Sequence, residues 1–317
     1  MTILGRIRQF SFYSMIGMIL VTLTLMLAIV VLAIENYWQE VNLPEYEPKI
    51  HRLARIKKIG LNPSTKYLFI HGLAASSAYW QRTIESLPVS ASVIAPDLLG
   101  FGNSPKPKAT YDLPMHANAI RQLLEEEHFF DNGPIVLVAH SMGTLVALEL
   151  MRQSPTHFNK AILISLPFYE SSTTAIAHLT SASLMSQGIL NNNKLLKLIC
   201  FALHGRDLPH LGTHFGLEEN VFQAGVQHRW QSLSKSLNNS IVQVDVRALM
   251  ATISLPIVLV HGLDDVVAPI NSVRKLPLEF NNLTLIEIPE SDHQVIQTRV
   301  KAIIAIINNT TADDVVE

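Results

Sequence analysis

The chain has 317 residues, 48% of them hydrophobic and 16% charged, with a formal net charge of −2. That length accommodates one large domain with an insertion or two ordinary domains, and the near-neutral charge offers no basic face to neutralise nucleic-acid phosphates. A single cysteine, Cys200, excludes an intrachain disulfide and every zinc site built on paired cysteines.

The apolar excess has a local source. No charge falls between Phe10 and Ile34, and Met15 to Ile34 (MIGMILVTLTLMLAIVVLAI) is almost wholly apolar. At 1.5 Å per residue, about twenty such residues cross a hydrocarbon core of roughly 30 Å. A secretory signal has a shorter apolar region and a small-x-small cleavage site; here the stretch runs into Glu35-Asn36-Tyr37-Trp38 without one. Tyr37 and Trp38 fall where an interfacial aromatic belt lies. Residues 1–38 are therefore expected to form a retained single-pass membrane anchor, with a cleaved signal as the competing reading. Arg6 and Arg8 before the span favour a cytoplasmic N-terminus and the rest of the chain outside, periplasmic in a bacterium, although Lys49, Arg52 and Arg55 downstream weaken the asymmetry.

Residues 36–50, with Pro44, Pro48 and several glutamates, read as a linker. Short apolar runs then alternate with stretches at helical spacing. Tyr67–Ile70 ends in His71-Gly72-Leu73-Ala74-Ala75-Ser76, a turn of small residues through which a backbone can approach a ligand. Ala91–Ala95 ends in Pro96-Asp97. A helical stretch near 113–128 precedes Ile135–Val138, which leads through Ala139-His140 to Ser141 and a helix over about 142–153. Ala161–Ser165 ends in Leu166-Pro167. Almost ninety residues follow without a convincing strand, rich in Leu, Ser, Asn and His. Leu195, Leu196, Leu198, Phe201 and Leu203 look like packing residues, so 170–250 reads as an inserted helical cap. The strand pattern resumes at Ile257–Val260, entering His261-Gly-Leu-Asp-Asp-Val-Val-Ala-Pro269, and at Leu283–Ile288, entering Pro289-Glu-Ser-Asp-His293; helices are expected near 270–278 and 293–308. Near-continuous apolar strands alternating with helices predict an α/β domain, a doubly wound and mostly parallel sheet over 39–169 and 251–317.

The chemistry concentrates at strand ends. A serine at a strand-to-helix turn, flanked two residues away by the small Ala139 and Gly143, can project its hydroxyl above the sheet. Serine needs an adjacent base, itself oriented by a carboxylate, and this fold class supplies them in the order serine, acid, histidine. Asp264 and Asp265 stand in the acid's place and His293 in the base's. Oxyanion donors would be the N–H groups of Met142, which opens the helix, and Leu73.

Four ordered motifs carry a family resemblance: His71-Gly72-Leu73, Asp97-Leu-Leu-Gly-Phe-Gly-Asn-Ser104, His140-Ser141-Met142-Gly143, and the Asp265/His293 pair. Over roughly residues 65–310 the chain resembles the α/β-hydrolase superfamily, in the branch of serine esterases, lipases and carbon–carbon bond hydrolases with a helical cap. The resemblance implies hydrolysis of a carboxylic ester, with a hydrophobic, lipid-derived substrate suggested by the anchor and the cap, and no cofactor. It selects Asp265, four residues before Pro269, over Asp264, with Glu170 as a less favoured acid. Serine at 141 argues against the epoxide hydrolases and dehalogenases, which carry aspartate there. Departures are Ala139 for glycine, Thr144 for a second glycine, and Ser291-Asp292 before the histidine. A carbon–carbon bond hydrolase or acyltransferase with the same triad, or a non-catalytic binding protein on this fold, are the alternatives. In the cap, His204, Asp207, His210 and His214 match no zinc spacing and read as a solvated face, so no metal is expected.

Overall fold

The computed structural model describes residues 3–60, 65–131, 133–203 and 219–308, with side chains from residue 15 onward except at 220 and 224. Seven strands form one sheet: β1 (Arg55–Lys58), β2 (Lys66–Ile70), β3 (Ser92–Pro96), β4 (Ile135–His140), β5 (Phe158–Ile164), β6 (Ile257–Gly262) and β7 (Leu283–Ile288), in the order β1-β3-β2-β4-β5-β6-β7. All neighbours run parallel except β1, which pairs antiparallel with β3. The doubly wound, mostly parallel sheet is as expected; β1 is an addition. Its sequence, Arg-Ile-Lys-Lys, has too little apolar character to read as a strand. It is the charged edge strand that protects a sheet from pairing with another chain, and Arg55 and Lys57 both bind the Glu127 carboxylate.

Alternate strand residues pack into two layers, as a pleat of period two requires. Leu68, Ile70, Leu137, Ala139, Leu163 and Leu259 face one side; Phe69, Val136, Val138, Ile162, Ile164 and Val260 face the other. Earlier in the chain come α1 (Ile3–Val41) and the short α2 (Gln81–Glu85), whose Ile84 packs in the second layer. The first layer itself is covered by α3 (Leu113–Glu126) and α4 (Met142–Gln153). Asp112 caps α3 by accepting from Met115 N–H at 2.9 Å, and Ile120 and Leu124 put its apolar stripe on the core.

Between β5 and β6 the chain forms helices α5 (Ser172–Ala182), α6 (Leu184–Leu190), α7 (Lys194–Leu203), α8 (Glu219–Gly225) and α9 (Trp230–Leu237), a π-helical turn (Asn238–Val242) and α10 (Val246–Met250). The last of the chain's described helices are α11 (Ile270–Val273), α12 (Leu276–Glu279), α13 (Val295–Thr298) and α14 (Val300–Asn308); Ile303, Ile306 and Ile307 of α14 cover the second layer. The polar side chains of α9 and the π turn tie the cap down: Ser232 Oγ donates to Gly100 O at 2.9 Å and Ser240 Oγ to Tyr111 O at 2.9 Å.

The N-terminal helix departs from expectation. It runs through the boundary expected at residue 38, so the first six residues of the expected linker are helical. The most apolar 18-residue window of Met15–Val41 has a mean hydropathy of 2.8 and is unburied, and the helix is long enough to cross a membrane; an N-terminal signal sequence meets the same criteria of length and composition. Its C-terminal turns dock on the cap. Ala33 and Asn36 are buried, and Asn36 Nδ2 donates to Phe201 O at 2.5 Å. Arg229 donates to Asn36 Oδ1 and Gln39 Oε1. The Glu40 carboxylate accepts from Trp230 N at 3.2 Å and Gln231 N at 2.7 Å, an anion placed on the N-terminus of α9.

Candidate active site

Ser141 joins β4 to α4 with φ 52° and ψ −127°, a region that residues with a Cβ rarely adopt. The surroundings hold it there. Ser141 N–H donates to Ile164 O at 2.9 Å, and Ser141 O accepts from Thr144 N at 2.8 Å and Thr144 Oγ1 at 2.6 Å. The hydroxyl of Thr144 thus ties down the turn. Ala139 is fully buried in the first core layer, which absorbs its extra methyl. Gly143 admits no side chain: a Cβ would stand 2.5 Å from His71 O and 2.6 Å from Ile70 O, so its absence lets α4 begin against the end of β2. A Cβ on Gly72 would lie 3.0 Å from Ser141 Cβ, which puts the 71–76 turn directly against the serine.

The carboxyl ends of β6 and β7 bring the partners. His293 Nε2 lies 3.0 Å from Ser141 Oγ, and His293 Nδ1 lies 2.8 Å from Asp265 Oδ2. Asp265 has a fully buried side chain, and its Oδ1 accepts from Val267 N at 2.9 Å and Ala268 N at 2.8 Å. Burial pushes this carboxyl up, but bonding to His261, His293 and Ala268 N–H outweighs it and holds the group well below the usual carboxylate range. Asp264 is exposed and contributes its backbone N–H to Ser291 O. Glu170 sits in a surface ion cluster with Arg247 and Lys275, which hold its carboxyl down to about 2, and no bond joins it to His293. With Nδ1–H given to an ionised carboxylate, the imidazole presents a lone pair on Nε2 to the serine hydroxyl, the arrangement for removing its proton.

Among the described residues, neither Met142 N–H nor Leu73 N–H donates to a protein acceptor. Met142 is buried at the first position of α4, where no intrahelical acceptor exists, and Leu73 is partly buried in the turn that Gly72 presses on Ser141.

Three further residues, none expected from the sequence, support His293 and its acid. His140, in the serine motif, is buried and donates Nε2–H to His293 O at 2.9 Å; burial, reinforced by His293, pulls its pKa down to about 3 and keeps it neutral. The Tyr79 ring stacks on His140 with centroids 5.0 Å apart, and Tyr79 OH donates to Gln294 Oε1 at 2.6 Å. His261 lies behind the acid, 2.5 Å from Ala268 O and 3.4 Å from Asp265 Oδ2. The position of His140 beside Ser141 and of His261 at the end of a strand were the available signals; the stacking partner had none. The Asp97 motif proves to be a loop tie, its carboxylate accepting from Ser77 N and Asn103 N at 2.7 Å each.

His204, Asp207, His210 and His214 lie outside the described residues, and among those described no group of three or more histidine, cysteine or acidic side chains is placed to hold a metal. A surface depression of about 360 Å³ lined by Asp112, Glu149, Arg152, Asn239 and Asp245 includes no nucleophile–base pair, so volume alone does not mark the site.

Residues 68–199 match a family described as alpha/beta hydrolase fold. The solved esterase from Thermogutta terrifontis superposes with a TM-score of 0.64 at 19% identity, over 81% of this chain and 92% of its own. The chain has the α/β-hydrolase fold. Its curated relatives include an uncharacterized protein of Mycobacterium bovis, 28% identical over 217 residues, 64% of this chain and 62% of that protein. The probable lysophospholipase BODYGUARD 4 of Arabidopsis thaliana is 36% identical over 113 residues, 35% of this chain and 27% of its own length. The chain therefore spans less than two thirds of the length of these relatives.

Proposed function

We propose that the chain is a membrane-anchored serine hydrolase that cleaves carboxylic esters of hydrophobic, lipid-derived substrates. The observation that carries this reading is the unbroken relay from Ser141 Oγ through His293 to Asp265, at 3.0 and 2.8 Å, starting from a serine in strained backbone geometry. The esterase title of one structural relative and the lysophospholipase name of a curated relative point the same way.

The steps follow from the groups present. Ser141 Oγ attacks the ester carbonyl carbon while its proton passes to His293 Nε2, and Asp265 holds Nδ1–H and balances the imidazolium charge. The carbonyl oxygen becomes an oxyanion facing the Met142 and Leu73 N–H groups. Collapse breaks the bond to the alcohol oxygen, which takes the proton from His293 and leaves an acyl-Ser141. His293 then removes a proton from water, whose oxygen attacks the acyl carbon; the bond to Ser141 Oγ breaks as that oxygen takes the proton from His293, which releases the acid and restores the serine and the neutral base. The apolar N-terminal helix supports a site at a membrane, and Leu73 with Met142 supports an apolar pocket floor.

The test is labelling of the full chain with a fluorophosphonate, alongside turnover of p-nitrophenyl esters of graded acyl length. Wild-type protein should label and turn over. Ser141→Ala should fold, fail to label and keep less than ~0.1% of turnover, because loss of a triad member costs several powers of ten. Labelling that persists in Ser141→Ala would refute the assignment of the nucleophile.

A further inference from the structure

An ordinary surface helix turns a polar face to water. α7 does not. Its sequence, Lys-Leu-Leu-Lys-Leu-Ile-Cys-Phe-Ala-Leu, buries Cys200 and packs Leu196 and Phe201 inward, yet leaves Leu195 66%, Leu198 36%, Ile199 40% and Leu203 40% exposed. These four lie at i, i+3, i+4 and i+8, on one face of the helix. On α6, whose Gly188 abuts Leu196, Leu184 and Met185 are exposed as well.

The position of α7 identifies what covers that face. α7 packs along the C-terminal turns of α1, with Phe201 O accepting from Asn36 Nδ2 and the Phe201 ring 5.8 Å from that of Tyr37. Asn36 is only two residues beyond Ile34, where the uncharged stretch ends. A helix rises 1.5 Å per residue, so Phe201 sits about 3 Å from the level at which α1 would leave the hydrocarbon. Lysines stand farther along α1, beyond that level, with Lys108 paired to Glu45. Lys197 lies over the rings of Phe201 and Trp230, and with Lys108 and Tyr37 it lines a depression of about 330 Å³ beside α1. Long basic side chains whose stems lie on apolar surface and whose ammonium groups reach the headgroups are characteristic of a membrane interface.

We propose that the exposed face of α7 is a second membrane contact, seated among the upper acyl chains of the bilayer with Lys197 at the phosphates. The inference rests on the reading of α1 as a retained span, and it goes beyond an anchor: the cap itself lies on the lipid. The occupant is lipid and not a second copy of the chain, because the face adjoins α1 at the depth where α1 meets lipid.

The full chain is reconstituted in phosphatidylcholine vesicles containing a minority of phosphatidylglycerol, with single cysteines carrying an environment-sensitive dye in a Cys200→Ala background. Lipids with nitroxides at shallow or deep acyl positions act as quenchers. A dye at Leu198→Cys should be quenched by shallow nitroxides, one at Leu25→Cys by deep ones, and one at Leu278→Cys on the core by neither. Quenching at position 25 without quenching at 198 overturns the proposal and leaves the anchor standing; no quenching at position 25 removes the anchor and the proposal with it. Concentration-dependent self-quenching at position 198, without quenching by lipid, would put a second copy on the face and overturn the lipid assignment. In parallel, Leu198→Asp with Ile199→Asp should leave turnover of a short soluble ester unchanged. Turnover of a long-chain ester embedded in vesicles should fall at least about tenfold, as the lost burial of two such side chains implies; equal turnover of both substrates would again refute it.

Discussion

The role given to Asp265 is tested most sharply by replacing it with asparagine, because the structure dictates how the amide would sit. Oδ1 of Asp265 accepts two backbone N–H groups, from Val267 and Ala268, and only an oxygen can occupy that place. The asparagine NH2 is therefore forced into the place of Oδ2, facing His293 Nδ1 at 2.8 Å. A donor there requires Nδ1 to be the acceptor, which moves the imidazole proton to Nε2 and directs it at Ser141 Oγ, 3.0 Å away. The base then has no lone pair for the serine proton. A wrong tautomer of this kind costs about 10⁴ in turnover, equivalent to about 5 kcal/mol of barrier. Asp264→Asn alters an exposed side chain that makes no bond to the histidine, so its turnover should stay within about twofold of wild type, as for surface changes in general. The assay is steady-state ester hydrolysis with circular dichroism to verify folding. Folded Asp265→Asn protein retaining a tenth of wild-type turnover would refute the tautomer argument, and inactivity of Asp264→Asn alone would move the acid to the neighbouring residue.

Gly143→Ala forces a Cβ to 2.5 Å from His71 O, a backbone atom that cannot rotate away, so a loss of about 1–3 kcal/mol is expected in urea unfolding, with turnover lowered through displacement of Ser141. Unchanged stability and rate would show that the α4–β2 contact is looser than described. A buried histidine sets an acid limit on folding. His116, fully buried between the rings of Tyr111 and Phe101, is pulled by burial down to about 4. Unfolded, the same imidazole protonates below about 6.5. Between those values the unfolded chain binds the extra proton, so this contribution is whole above about 6.5 and is lost as pH falls toward about 4. From pH 7 to 5 it removes about 2 kcal/mol, and His116→Gln should flatten that slope in urea titrations at the two pH values; a parallel slope in the variant would assign the acid sensitivity elsewhere.

What could be read from the sequence was local and periodic. Strands buried on both faces leave unbroken apolar runs, and Ile135–Val138 and Ile257–Val260 sit in the sheet where those runs placed them. Residues at the carboxyl ends of such strands converge whatever their separation along the chain, so the approach of Ser141 to His293, 152 residues apart, was accessible from topology alone. The choice between Asp264 and Asp265 was not. It turns on which of two adjacent side chains points inward, and the family's spacing to Pro269, not periodicity, indicated Asp265. β1 escaped because an edge strand designed to remain unpaired carries charge in place of an apolar alternation.

The end of α1 was the least legible part, and the reason is physical. Pro44 and Pro48 with their glutamates have the composition of a linker, and composition cannot reveal that Glu40 finds its partners at Trp230 and Gln231, 190 residues away. That contact changes how the chain is understood as a machine. Glu40 and Asn36 fix α9 and α7 to the N-terminal helix, while Ser232 of the same α9 donates to Gly100 O, in the loop that Asp97 ties to the turn beside Ser141. A displacement of the cap must therefore break bonds at both ends, one set at the base of the apolar helix and one set at the rim of the candidate site. The cap helices α7 and α9 are thus tied on one side to α1 and on the other to the Gly100 loop.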